Sequence, residues 1–388
     1  RIRQPKIRWV EGDLRNFTAP SSWLPLLSGI EVVVNCAGAL QDTMRDDVSA
    51  VQQDAMLALF EAASTFANIR IIQISAPRSL AASGTEFMDT KLAADAALAA
   101  SGINHVILRP ALVLGRNAHG GSALLRALAA FPFFTPLIHP QAPVQTVSLD
   151  EVANTVAAAA TGNIANGSDI NLAGPATTLG SLVAAHRSWL GLAPVRIVSI
   201  PAFSARGMST VADIAGWFGW RSPLRSTAMT IAQGGITATH TSADAIVDPM
   251  PSFMHDNPAG VQDLWFARLY LLKPVIILTL ATFWIVSGII PLINPANAAE
   301  GFTGFFSPAT ALTLTITTSL ADIILGSLVL VRSHTRKALL GMMLLSIAYL
   351  AGATIIQPNL WSDPLGPLVK IFPALTLTLL ALATLEER

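Results

Sequence analysis

The sequence has little charge, almost no sulfur chemistry and scarcely any tyrosine. Of its 388 residues 12% are charged, and 24 basic side chains balance 24 acidic ones. No basic stripe disturbs that balance, which argues against nucleic acid or another polyanion as a partner. Cys36 is the single cysteine, so an intrachain disulfide and a cysteine-rich metal site are both excluded, and a reducing compartment fits. The seven histidines form neither an H-E-x-x-H motif nor a tight cluster, so no metal site is expected. Tyrosine occurs twice, as Tyr270 and Tyr349. A G-x-G-x-x-G turn is missing too, and with it the usual diphosphate cradle of a nucleotide-binding sheet.

What the chain has instead is hydrophobic length. Mean hydropathy is +0.54, and the apolar residues gather in four spans near the end: 274–293, 309–331, 338–357 and 367–385. Each is about 20 residues long, enough to cross roughly 30 Å of hydrocarbon as a helix. Arg268 and Lys273 precede the first span, Arg332, Arg336 and Lys337 link the second to the third, and Arg388 follows the fourth. The other two links carry only Glu300 and Asp363. The positive-inside rule then predicts a multi-pass domain over 261–388 in the inner (cytoplasmic) membrane, with both termini and everything before Arg268 in the cytoplasm. Trp265, Phe266 and Tyr270 fall where interfacial aromatics anchor a membrane helix.

One residue offends the pattern. Asp322 lies in mid-span, where an ionised group costs about 2.5–3.5 kcal/mol or more unless paired or protonated. Lys370, just inside the fourth span, is a candidate partner, or else a side chain that snorkels to the interface. The pair reads as a proton or quinone site between helices, against the plainer reading of a polar lock.

Before the spans, apolar β-branched runs alternate with helical patterns. Strands are expected at 6–10, 30–34, 69–75 and 106–108, with helices at 48–66 and 85–100. Strands that are apolar throughout, separated by helices, predict a parallel sheet covered on both faces. That is a doubly wound, Rossmann-like α/β fold, with its ligand crevice at the carboxyl ends of the strands. Its first βαβ unit, about 30 residues or more, is absent and is expected upstream of Arg1. The expected domains are 1–160 for the incomplete sheet domain, 161–260 for a smaller lobe and 261–388 for the four-helix membrane domain.

Five short motifs fall in a telling order: Glu11-Gly12-Asp13-Leu14, Asn35-Cys36-Ala37-Gly38, Ile74-Ser75, the pentad Phe87–Lys91, and Leu108-Arg109-Pro110. In this order residues 6–200 resemble the extended and atypical short-chain dehydrogenase/reductase superfamily, which includes epimerase/dehydratase-like and complex I accessory-subunit-like proteins. Residues 261–388 resemble DoxX-like membrane domains. The resemblance implies NAD or NADP as cofactor. It implies that Asp13 contacts the adenine, that Asn35, Ala37 and Gly38 line the adenosine ribose, and that Lys91 holds the nicotinamide ribose. Ser75 takes the place of the polar or catalytic serine after the fifth strand, and Arg109 and Pro110 end the sixth beside the cofactor. Plainer readings stand beside these: Asp13 as a helix cap, Asn35 as a turn residue, Ser75 as a satisfied hydroxyl, and Lys91 as a solvated surface lysine.

The pentad departs from the family at its first residue. The family places a tyrosine four residues before the lysine, one helical turn away, where the ammonium lowers the phenol's pKa. Here that residue is Phe87, and both tyrosines belong to the membrane portion. Phenylalanine has no proton to give. Two functions follow: a membrane-anchored oxidoreductase-like protein that passes reducing equivalents to a quinone or membrane partner, or a non-catalytic dinucleotide-binding sensor or structural anchor. His119-Gly120-Gly121-Ser122 is expected either to close over the cofactor or to form a flexible turn.

Overall fold

The computed structural model describes residues 7–43, 46–77, 84–237, 245–246 and 251–386. They fall in two compact units, Arg1–Trp217 with Arg221–Leu264, and Phe218–Trp220 with Trp265–Arg388. In the first unit five strands lie parallel and in chain order: β1 (Val32–Asn35), β2 (Arg70–Ile74), β3 (Asn104–Pro110), β4 (Ser168–Ala173) and β5 (Ala245–Ile246).

Neighbouring side chains of a strand face opposite ways. Ile71 and Ile107 therefore join Leu27 of α1 (Pro20–Leu27), Leu59 of α2 (Ala55–Ser64) and Leu98 of α3 (Glu86–Ala100) in one layer. Beyond α4 (Gly120–Ala129), helix α5 (Leu149–Ala160) covers the other face, where Val152 and Ala159 meet Ile72, Val106, Leu108 and Leu172. Each fully buried Ile or Leu contributes about 1.5–3 kcal/mol, and burial on both faces is why the strands read as unbroken apolar runs. The doubly wound α/β expectation is met.

Two differences from the sequence reading have physical causes. Residues 7–10 are irregular, and Trp9 and Val10 are exposed. A strand needs a neighbour for its backbone groups, and among the described residues β1 pairs only with β2, which leaves Val34 41% exposed on an open edge. Lys6 lies outside the described residues. Second, the stretch 161–260 supplies β4 and β5 to the same sheet, together with α6 (Leu179–Trp189) and α7 (Ala202–Trp217), so it shares the unit's core.

The second unit is helical. Helix α8 (Val261–Ile293), α9 (Pro308–Leu328) and α10 (Thr335–Ile356) are each long and apolar enough to cross a bilayer. Helix α8 runs for 33 residues through Pro274, so the expected aromatic lead-in and first span are one helix. Proline is tolerated this way in membrane helices because neighbouring groups satisfy the freed carbonyl. The fourth span is shorter than expected: α11 (Ile371–Ala383) has 13 residues, about 20 Å at 1.5 Å per residue. The cause is local, since Asp363-Pro364-Leu365-Gly366-Pro367 turns with Gly366 at φ +56° and delays the helix to Ile371. Arg388 lies outside the described residues. Ile277, Leu280, Trp284, Leu339, Met342 and Ala381 pack inside this unit.

Candidate functional site

Helix α3 is built to present one face to the strand ends. Thr85 caps it, Glu86 and Asp89 favour its positive end, and alanines fill its remainder. Phe87, Lys91 and Asp95 recur every fourth residue and so stack on one side.

Lys91 is buried although it carries an ammonium group. Its Nζ donates to the carbonyls of Ala37, just beyond β1, and Ile74, the last residue of β2, each at 3.4 Å. Burial lowers its pKa, and Asp95 and Cys36 oppose that shift. Phe87, one turn earlier, offers its ring 5.9 Å from Nζ. An ammonium has three protons, so two long bonds leave one for a ligand.

Asn35 shapes the turn at the end of β1. Its Nδ2 donates to Gln73 Oε1 at 2.7 Å, and its Oδ1 accepts from the Ala37 N–H at 2.9 Å. The amide thus holds Ala37 and the exposed Gly38 at the mouth of the crevice. Between β1 and α2 the chain widens into a π-helical stretch, Ala50–Asp54. That stretch turns Gln52 inward, where Nε2 donates to Thr90 Oγ1 at 3.3 Å. Its Oε1 is buried with no hydrogen-bond partner among the described residues. A Cβ placed on Gly38 would stand 3.5 Å from both Gln52 Oε1 and Lys91 Nζ. One open acceptor and one cation therefore converge on a glycine at the carboxyl end of β1.

Ser75 and Arg109 have a different setting. Ser75 Oγ donates to Asp95 Oδ2 at 2.5 Å, and Arg109 Nη1 donates to that same oxygen at 2.8 Å and to Ser75 Oγ at 3.2 Å. Arg109 Nε and Nη2 grip Asp169 with two bonds of 2.6 and 2.9 Å. The network ties α3, β2, β3 and β4 together, and the buried Pro110 closes β3 beside it. Asp13 caps the short turn Leu14–Asn16 and pairs with Arg15 at 2.6 Å in solvent. That arginine holds its carboxyl below the usual range. His119-Gly120-Gly121-Ser122 is the start of α4: Ser122 Oγ donates to the His119 carbonyl and accepts from its N–H.

The structure therefore brings together Asn35, Ala37, Gly38 and Lys91, places Thr90, a residue of the pentad that could relay a proton, beside them, and adds Gln52, which sequence reasoning missed. Asp95 was legible at four residues past Lys91. Gln52 was not, because its direction depends on the π-helical turn.

In the membrane unit Asp322 is buried, and its partner is Tyr349, whose Oη donates to Oδ1 at 2.7 Å. Lys370, the expected partner, is exposed ahead of α11. The short fourth helix explains the change, because its late start leaves Lys370 outside the span. Glycine brings the helices close here: a methyl on Gly288 of α8 would strike the Ser319 carbonyl of α9.

Residues 281–379 match the model of the DoxX-like family. No curated protein matches the chain. Among solved structures the chain is similar to UDP-glucuronic acid 4-epimerase from Bacillus cereus in complex with NAD, at 16% identity over 50% of this chain and 70% of that one, TM-score 0.42. It is similar to the Bordetella bronchiseptica enzyme WbmF in complex with NAD+, at 18% identity over 52% and 72% of the two chains, TM-score 0.38. A third is MoeE5 in complex with UDP-glucuronic acid and NAD, at 20% identity over 50% and 72%, TM-score 0.42. Likeness at this level carries no activity, substrate or ligand over to this chain. By its own sheet topology and this family match, the molecule joins a parallel α/β unit to an apolar helical unit that is similar to the DoxX-like family over residues 281–379.

Proposed function

We propose that the α/β unit binds the nicotinamide-ribose end of NAD or NADP at the carboxyl ends of β1 and β2, as a non-catalytic sensor or structural anchor held at the membrane. One observation carries this reading: Lys91 Nζ and the unpartnered Gln52 Oε1 converge on Gly38. A ribose diol has both donors and acceptors, and an ammonium facing an amide oxygen complements it. The fit is confined to that end. Among the described residues no glycine-rich turn leads into a helix beside β1, so the diphosphate has no cradle there. In its reduced form the bound cofactor would carry a hydride, which this reading leaves unused. The protein groups around it supply no phenolic proton, since Phe87 stands one turn from Lys91 and Ser75 is committed to Asp95 and Arg109.

A second reading is favoured by Asp322 and Tyr349. Here the unit passes reducing equivalents to a quinone or membrane partner, which needs no phenol beside Lys91, and the carboxyl–phenol pair in α9 and α10 handles the accompanying proton. In both readings the soluble unit and both termini face the cytoplasm at the inner membrane, supported by the basic residues gathered on one side of the spans.

The test is equilibrium binding of NADH and NADPH to the full-length protein in detergent, followed by turnover with a soluble quinone. Saturable binding that Lys91→Met weakens at least tenfold, without quinone-dependent oxidation, supports the first reading. Robust oxidation selects the second. No binding of either nucleotide rejects both. Phe87→Tyr is expected to add no carbonyl-reducing turnover under the first reading.

A further inference from the structure

Helix α7 is turned the wrong way out for a soluble surface. Phe203, Val211, Ile214 and Trp217 are 78, 66, 54 and 61% exposed. At 3.6 residues per turn these four positions share about a third of the circumference. The opposite face is the one attached to the protein. There Ala212 is buried, Gly216 lies against the Arg225 guanidinium, and Asp213 accepts from Gln41, Arg225 and the Ser226 N–H. Asp213 is the sole acid in Ala202–Trp217, so the outer face carries no negative charge, and Arg206 is exposed at its flank.

The chain that leaves α7 runs directly into the second unit. Phe218, itself 48% exposed, accepts at its carbonyl from the Arg332 N–H at 2.9 Å. Trp220 donates Nε1 to the Leu330 carbonyl at 2.6 Å, and the charges of Arg332 and Lys273 lie 5.6 and 6.0 Å from its ring. Arg332 and Lys273 in turn donate to the Leu385 carbonyl. These are the basic residues that flank the spans, so Trp220 sits at the level where hydrocarbon gives way to headgroups. Trp217, the last residue of α7, is joined to this anchor by the peptide chain through Phe218 and Gly219. An apolar face of this kind, rich in Phe and Trp and continuous with an interfacial anchor, suits the boundary between headgroups and acyl chains.

We infer that α7 lies in the plane of the bilayer surface, with Phe203, Val211, Ile214 and Trp217 immersed in lipid. It forms a peripheral membrane contact separate from the spans and independent of what the crevice binds. The test places a nitroxide label on Val211→Cys or Ile214→Cys, each in a Cys36→Ser background of the full-length protein. The protein is reconstituted into phosphatidylcholine vesicles with and without phosphatidylglycerol. Collisions with apolar oxygen should dominate over collisions with an aqueous nickel chelate at both positions, and the excess should grow with the anionic lipid beside Arg206. Equal or greater access for the chelate overturns the inference. So does dipolar broadening that vanishes on dilution with unlabelled protein, which would put a second copy on this face.

Discussion

Arg109 in the sheet unit and Asp322 in the membrane unit are both buried charge-bearing side chains, yet their surroundings have little in common. Arg109 stands between two carboxylates, with Asp95 equally inaccessible and Asp169 partly open to solvent. Asp322 makes no ion pair among the described residues and accepts one hydrogen bond from a phenol. A unit packed in water can hold a buried arginine with a two-pronged carboxylate grip, where geometry adds to charge. A span in lipid gains less from full charges, because each must first be stripped of water. The contrast teaches that the same degree of burial implies different consequences when a partner is removed: an orphaned ion in one unit, a single lost hydrogen bond in the other.

The sharpest way to break this contrast is Arg109→Met. Removing one member of a buried pair leaves Asp95 with only the Ser75 hydroxyl and the charge of Lys91 to offset its own, at a cost of about 3–5 kcal/mol. Denaturant unfolding of the full-length protein in mild detergent should show that loss in the transition of the α/β unit. A cost under about 1 kcal/mol, the range of surface pairs, would mean that the network does not hold β3 to β2 and β4, and that the two units do not differ as described.

A smaller effect comes from His186 on α6. It is almost wholly buried, its Nδ1–H donates to the Leu182 carbonyl at 2.9 Å, and Trp189 meets its ring edge-on. Burial pushes its pKa down from 6.5 to about 4, with the nearby Arg126 in the same direction. The unfolded chain therefore binds a proton that the folded one refuses between these values, so stability falls as pH drops from about 6.5 to about 4. The full penalty is about 3 kcal/mol at one pKa unit per 1.36 kcal/mol. Unfolding midpoints measured across that window should slope steeply in the native protein and flatten in His186→Gln. An unchanged slope would assign the acid sensitivity elsewhere.

The fold was more legible than the site, and the reason is physical. The strands at 30–34, 69–75 and 106–108 and the helix at 85–100 announce themselves because burial on two faces demands apolar runs, and Thr85 with an alanine-rich stretch signals a helix. Lys91 and Asp95 share a helix face at a spacing readable from the chain. Asp169 joins Arg109 only through the register of β4 on β3, in which Arg109 lies opposite Asn171, and no local pattern encodes that register. Gln52 depends on a π-helical stretch. Tyr349 reads from the sequence only as a membrane residue, and its phenol meets Asp322 through the packing of α10 on α9. Residues 7–10 had the composition of a strand and lacked only the neighbour that makes one.

The smallest expected effect sharpens the contrast from the lipid side. In a cycle of Asp322→Leu, Tyr349→Phe and the double variant, the coupling isolates the bond between them, since packing changes cancel to first order. Hydrogen bonds between membrane helices couple by about 0.6 kcal/mol on average and about 1.7 at most. A value in that range, from unfolding in mixed micelles, fits a neutral pair whose partners find other contacts when separated. Phenylalanine keeps the ring packed and removes only the hydroxyl, so Tyr349→Phe alone should cost little more than the coupling. Several kcal/mol of coupling would require a charged carboxylate stabilised by the phenol. Asp322 would then resemble Arg109, an ion that its partner cannot leave, and burial in lipid would no longer distinguish the two units.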